Sequence, residues 1–311
     1  MKENNQQNDI KTNIHWYPGH MTKAKRQMQE SIKLIDVIIE LVDARVPLAS
    51  RNPDIDELGK NKPRIIIMNK ADMASDNENT KWKKYFEEKG FHVILTNAKT
   101  GQGVKSLKNQ ITEVCKEKIE RDKRRGIKNR PIRGMVCGIP NVGKSTFINS
   151  VVGKSTAKTG NKPGVTRGNQ WIKLNNQVEL LDTPGILWPK FEDPKVGILL
   201  ALCGGIKEDV LNVTELACYG ITILSKQNSK ILDLKYNINT VDILPNYDII
   251  NQSEILTFGE IVLDKIAESR KMLLKGGLHD INKAALMFLD DIRNAKFGGI
   301  TFEIVEEINE E

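Results

Sequence analysis

Up to about residue 190 the chain alternates two textures. Nearly continuous apolar runs of strand length occupy residues 37–44, 64–68, 92–96 and 132–137. Such runs suit parallel strands covered on both faces. Between them, apolar residues recur at helical spacing: Met21, Ala24, Met28, Ile32 and Ile35, then a segment around 81–89, then Val104, Leu107, Ile111 and Val114. Residues 170–174 and 177–181 flank Asn175 and Asn176, a hairpin pattern. Strands alternating with helices predict a doubly wound α/β sheet.

Beyond residue 190 the strand texture stops. Residues 196–206 are apolar with small side chains, and helices are expected through 226. Residues 227–252 are rich in Asn and Asp and weakly patterned. Ile281, Ala284, Ala285, Phe288, Leu289 and Ile292 make a helical stripe, with a fainter one at Phe258, Val262 and Ile266. The pattern therefore divides the chain into a polar, disordered tail over 1–12, an α/β domain over 13–190 and an all-helical domain over 191–311. Residues 120–131 are polar, strongly basic and end in Pro131, which reads as an exposed connection. Residues 153–167 lack apolar periodicity and read as a loop.

Composition narrows the setting. The 311 residues carry a formal net charge of +7, and the pI is near 9.0. That balance favours a polyanionic partner such as nucleic acid, with a solvated basic surface as the alternative. Cys115, Cys137, Cys203 and Cys218 form no C-x-x-C and no metal-ligand spacing, as expected of a reduced, cytoplasmic protein. No apolar run approaches the roughly 18–20 residues of a membrane span, and the first residues form no secretion signal.

Chemistry enters at the strand ends. Gly138-Ile139-Pro140-Asn141-Val142-Gly143-Lys144-Ser145 reads G-x-x-x-x-G-K-S, between a strand and a helix. That is the context a phosphate-binding loop requires. Backbone N–H groups of Asn141, Val142, Gly143, Lys144, Ser145 and Thr146 can turn inward around a polyphosphate. Lys144 can reach the outer phosphates, and the Ser145 hydroxyl can join Mg²⁺. Asn69-Lys70-Ala71-Asp72 follows a strand and fits N-K-x-D; a carboxylate there accepts the two donors of a guanine edge, which adenine lacks. Asn97-Ala98-Lys99 follows the next strand. Asp182-Thr183-Pro184-Gly185 is D-x-x-G: Asp182 can hold Mg²⁺ and the Gly185 N–H can meet a γ-phosphate. Thr166, in the preceding loop, can complete the Mg²⁺ shell, a plain turn threonine being the alternative. His20 follows Trp16-Tyr17-Pro18-Gly19 at the mouth of a helix, where a lone histidine more often caps or sits at the surface.

The motif order is reversed relative to small GTPases, which begin with the phosphate loop. A fold tolerates this if one exposed connection is cut and the old ends are joined. The chain resembles the circularly permuted GTPases. Through Trp16–Met21 taken as a motif, Asp43-Ala44-Arg45, Pro140-Asn141 and Leu187-Trp188-Pro189-Lys190 it is similar to the YlqF/RbgA family, the ribosome biogenesis GTPase A group. The resemblance implies a GTP hydrolase that binds the precursor of the large (50S) ribosomal subunit and acts late in its assembly, stimulated by the particle and by K⁺. It implies a monomer that binds GTP and GDP, with no membrane. The position after D-x-x-G, where many GTPases carry a water-orienting glutamine, is Ile186; the family's answer is the histidine of its W-[FY]-P-G-H turn, here His20. It also implies K⁺ coordination by Asn141. Two other readings stay open on residues alone: an RNA-binding module whose hydrolysis is incidental, and a signalling GTPase with a protein partner.

Overall fold

The computed structural model describes residues 19–127, 130–153, 169–206, 212–228, 230–240, 243 and 251–309, with Gly19, His20 and Asn309 as backbone only. The tail over 1–12 and the threonine loop carrying Thr166 lie outside the described residues. The chain divides into two compact units, one running from Trp16 to Lys190 and taking up Gly298–Glu311, the other containing Phe191–Phe297.

In the first unit, α1 (Gly19–Ser31) leads into β1 (Val37–Asp43), followed by α2 (Pro53–Leu58), β2 (Arg64–Asn69), α3 (Asp76–Glu88) and β3 (His92–Thr96). Then come α4 (Leu107–Val114), α5 (Lys116–Arg124), β4 (Ile132–Gly138), α6 (Lys144–Val152), β5 (Gln170–Lys173) and β6 (Val178–Asp182). The sheet order is β3-β2-β1-β4-β6-β5. All pairings are parallel except β5 against β6. The Asn175 side chain closes the β5–β6 turn by accepting from the N–H groups of Gln177 and Val178.

Every residue of β1 and β2 is buried, which is why these strands read as nearly continuous apolar runs, with Glu40 of β1 held by Arg51 and Arg64. One face packs Val42, Ile66, Met68 and Val93 against Trp82 and Phe86 of α3. Each fully buried side chain of this size is worth about 1.5–3 kcal/mol relative to exposure. The sheet turns back between β1 and β4, with Ile39 opposite Val136. Parallel strands share a carboxyl edge, so Asp43, Asn69, Thr96, Gly138 and Asp182 end at one side of the sheet. Open α/β sheets bind ligands there, at the point where strand order reverses.

Two boundaries differ from the sequence reading. The basic stretch expected as a connection from residue 120 is helical through Arg124. Lys118 pairs with Asp122 one turn on and with Asp36, and Arg121, Lys123 and Arg124 suit the negative end of a helix. Residues 298–311, placed in the helical domain by pattern, belong with the sheet unit. Their short α12 (Val305–Asn309) brings Val305 into the Trp82 cluster.

The second unit holds α7 (Pro194–Leu202), α8 (Val213–Gln227), α9 (Ile231–Tyr236), α10 (Gln252–Ser269) and α11 (Ile281–Arg293). Asp193, Asn212, Asn251 and Asp280 cap α7, α8, α10 and α11 through side-chain acceptors. α9 arises in the weakly patterned segment because Leu232 and Tyr236, one turn apart, are both fully buried, and the Tyr236 hydroxyl donates to Asp291 Oδ2 at 3.0 Å.

Candidate functional site

The carboxyl edge gathers the motifs of both chain halves. Asn69, 3% exposed at the end of β2, is their junction. Its Nδ2 donates to the Val142 carbonyl of the phosphate loop at 2.8 Å. Its Oδ1 accepts from the Ala98 N–H at 3.1 Å and from the Thr96 hydroxyl at 3.2 Å. One amide thus ties N-K-A-D to both the phosphate loop and N-A-K. Asn97 shapes the latter turn, accepting from the N–H groups of Lys99 and Thr100, while Lys99 itself is exposed. Asp72 sits in a short 3₁₀ turn (Ala71–Met73) with its side chain exposed at the rim.

Beneath that rim lies an ionic triad. Asp43 Oδ2 accepts from Arg45 at 2.7 Å and from Lys70 Nζ at 2.8 Å, and Asp43 Oδ1 takes the Arg45 Nε at 2.9 Å. Asp43 and Arg45 are each 2% exposed. Burial alone would raise the Asp43 carboxyl; the Arg45 guanidinium and the Lys70 ammonium overcome it and hold the group well below the usual carboxylate range. Lys70 has φ near +60°, a left-handed turn that the triad holds in place. Sequence reasoning carried Asp43 and Arg45 only as marks of family likeness; closely spaced opposite charges closing a nearly continuous apolar strand were the available signal.

On the phosphate side, Asn141 and Gly143 take positive φ, 58° and 100°, curling the loop between β4 and α6. Val142 is buried, and Asn141, Gly143, Ser145 and Thr146 are half-buried. Lys144, at the first position of α6, is buried and donates to the loop's own carbonyls, Gly138 at 3.0 Å and Ile139 at 2.7 Å. Burial lowers its ammonium to about 8, against the pull of Asp182. Asp182, 1% exposed, is raised to about 6 by burial, with Lys144 working the other way. Its Oδ1 has no hydrogen-bond partner. A buried, unpaired carboxylate oxygen of this kind fits a cation ligand. Among the described residues no three His, Cys, Asp or Glu side chains cluster around a metal position.

Gly185 lies against this loop. A Cβ there would stand 2.8 Å from both Lys144 Nζ and Pro140 Cα, so the backbone approaches as only glycine permits. Ile186 follows, buried and apolar. The Asn52 side chain, 1% exposed, donates to the Ile186 carbonyl at 3.2 Å while its oxygen caps α2 by accepting from Asp54 N at 2.9 Å. Sequence reasoning gave no sign of this tether. The backbone of His20 lies in the first turn of α1; its side chain, and all of Thr166, lie outside the described residues.

The chain is similar to known proteins. A family model described as 50S ribosome-binding GTPase matches residues 133–244. The chain is 46% identical over 298 residues to ribosome biogenesis GTPase A of Bacillus cereus, covering 96% of each protein. It is 32% identical to that of Thermotoga maritima, over 95% of this chain and 96% of the relative. Among solved structures, a GDP-bound YlqF matches with a TM-score of 0.62 at 26% identity, over 90% of this chain and 100% of that one. GNP-bound YlqF from Thermotoga maritima matches at 0.59 and 26%, over 91% and 98%. Identity at that level along nearly the full length of both proteins means the reversed motif order is inherited, and the chain belongs to the ribosome biogenesis GTPase A family.

Proposed function

We propose that this GTPase binds the precursor of the large ribosomal subunit and hydrolyses GTP there during a late step of its assembly. The observation that carries the nucleotide half is Asn69, whose single amide spans the base-recognition and phosphate motifs. The ribosomal half is supported by family membership and by the basic balance of the chain, +7 overall, which suits an RNA-rich particle.

GTP lies with its base at Asn69, Lys70 and Asp72, beside Asn97, Ala98 and Lys99. Its phosphates lie along Asn141, Val142, Gly143, Lys144, Ser145 and Thr146. Lys144 leaves the Gly138 and Ile139 carbonyls for the outer phosphates, exchanging neutral acceptors for charged ones. Ser145 and Asp182, joined by Thr166, would hold Mg²⁺, which when bound would supply charge neutralisation of the phosphate oxygens. The Gly185 N–H meets the γ-phosphate. Ile186 has no group to orient water; the family resemblance assigns this to His20, which acts once the particle positions it. The amide oxygen of Asn141 takes K⁺ beside the phosphates, offsetting transition-state charge. The protein works as a cytoplasmic monomer; no described helix is long and apolar enough to cross a membrane.

Co-sedimentation with ribosomal subunits tests this reading. Retention on large-subunit precursors with a non-hydrolysable GTP analogue, and release with GDP, is the expected result. Equal absence in both states removes the ribosomal role. The same assay with His20→Ala should show normal binding and no particle-stimulated hydrolysis.

A further inference from the structure

The chain leaves the helical unit at Phe297 and returns to the sheet unit at Gly298. There it does not simply end. Residues 299–303 bind the backbone on both sides of the N-K-A-D rim. Ile300 N–H donates to the Met73 carbonyl at 3.0 Å, one residue past Asp72. Ser75 N–H donates to the Thr301 hydroxyl at 3.1 Å. Gly299 passes so close to this loop that a Cβ would stand 2.4 Å from the Ala74 carbonyl. On the other side, Phe302 N–H donates to the Arg45 carbonyl at 2.8 Å. The Glu303 carboxylate accepts from the N–H groups of Leu48 and Ala49 at 2.8 and 2.9 Å. Trp82 Nε1 anchors the Glu303 carbonyl at 2.9 Å.

These contacts join two loops. One follows β1 and carries Arg45; the other follows β2 and carries Lys70 and Asp72. The same two loops are already linked from within by the Asp43 triad. The rim that presents Asp72 is therefore held from beneath by buried ions and from outside by a segment more than two hundred residues distant in sequence.

We infer that this C-terminal strap is a positioning element for guanine recognition, with Thr301 and Glu303 its working side chains. It sets the Asp72 loop in the geometry that binds the base, and so sets how long GDP stays bound. The inference rests on the reading of N-K-A-D as the guanine site.

The test uses the full chain and two probes, N-methylanthraniloyl GDP and its ADP counterpart. Thr301→Val removes the hydroxyl that accepts from Ser75 and keeps its shape. GDP release and the KM for GTP should both rise about three- to tenfold, the scale of one lost hydrogen bond, with kcat at saturating GTP unchanged. Thr301→Ser should restore the wild-type rate, and Glu303→Ala should act like Thr301→Val from the other loop. Urea titration separates this from loss of fold: a purely structural strap would lower stability and leave release unchanged in every folded variant. Wild-type release rates in Thr301→Val and Glu303→Ala, with wild-type preference for GDP over ADP, overturn the strap's role alone. No preference for GDP over ADP in the wild type removes the guanine reading and the strap's role together.

Discussion

The two halves of the nucleotide site are built on opposite principles. The base half, on β1 to β3, is finished. Asp43 is paired twice, Asn69 uses both ends of its amide, and Asn97 closes its own turn. The phosphate half, on β4 to β6, is not. Asp182 buries a carboxylate oxygen with no partner, and Lys144 spends a buried ammonium on neutral loop carbonyls. The difference teaches where ligand energy goes. A preorganised base pocket gains selectivity because nothing need move. A pocket that holds two buried charges without satisfying them would gain affinity if magnesium and phosphate relieved them.

The largest effect should come from breaking the finished half. Asp43→Asn leaves Arg45, 2% exposed, without its counter-charge, and about 3–5 kcal/mol of stability should be lost, as for other broken buried pairs. Urea unfolding measures it, and a loss below about 1 kcal/mol would say the triad contributes no more than a surface pair.

The mirror experiment is Asp182→Asn. Hydrolysis should fall by roughly two to three orders of magnitude, while the nucleotide-free protein should be no less stable than wild type. Loss of function with retained or increased stability is the mark of a strained site; a clear fall in stability would contradict the comparison.

Acid titration separates the halves by sign. The Asp43 carboxyl is held low, so its contribution is present above its ordinary value near 3.8 and is lost only as pH falls below that. Asp182 is raised to about 6, so the folded nucleotide-free protein holds that proton more tightly than the unfolded chain does. Its contribution is present below about pH 4 and disappears as pH climbs through 6. The Asp182→Asn variant should therefore gain on wild type between pH 4 and 7, by about 1–3 kcal/mol for a shift of this size. Parallel stability curves for the two proteins would refute the strain.

The smallest effect sits on the loop between the halves. Hydrolysis should run a few-fold faster in K⁺ than in Na⁺ at equal ionic strength, and Asn141→Ala should erase the difference. Equal rates in the wild type would take the cation away from Asn141.

The same contrast governs what could be read without coordinates. The strands and the nucleotide motifs were legible because each is local: a nearly continuous apolar run, then a few residues whose chemistry is fixed by spacing. Glycine spacing around Lys144 and the N-K-A-D and D-T-P-G signatures needed no partner to be recognised. The Asn52 tether to Ile186 and the strap on the Asp72 loop were illegible because each joins groups far apart in the chain through backbone N–H or carbonyl groups, which leave no pattern in side-chain type. In the triad Asp43 and Arg45 are near neighbours, and what the sequence hid was the third partner, Lys70, just past the next strand. In the helical unit the obstacle was different. α9 has only two anchoring residues, Leu232 and Tyr236, too few to make a period, and its polar neighbours hid it.

Everything turns on guanine recognition by a site assembled from chain halves in reversed order. Titration of the full chain with N-methylanthraniloyl GDP and ADP, in the presence of Mg²⁺, measures it most directly. GDP should bind at least a hundredfold tighter, since adenine leaves the Asp72 carboxylate unpaired, and Asn69→Ala should weaken GDP binding by at least tenfold, because one amide serves three motifs. Equal affinity for the two nucleotides, or full GDP affinity without Asn69, would contradict the account.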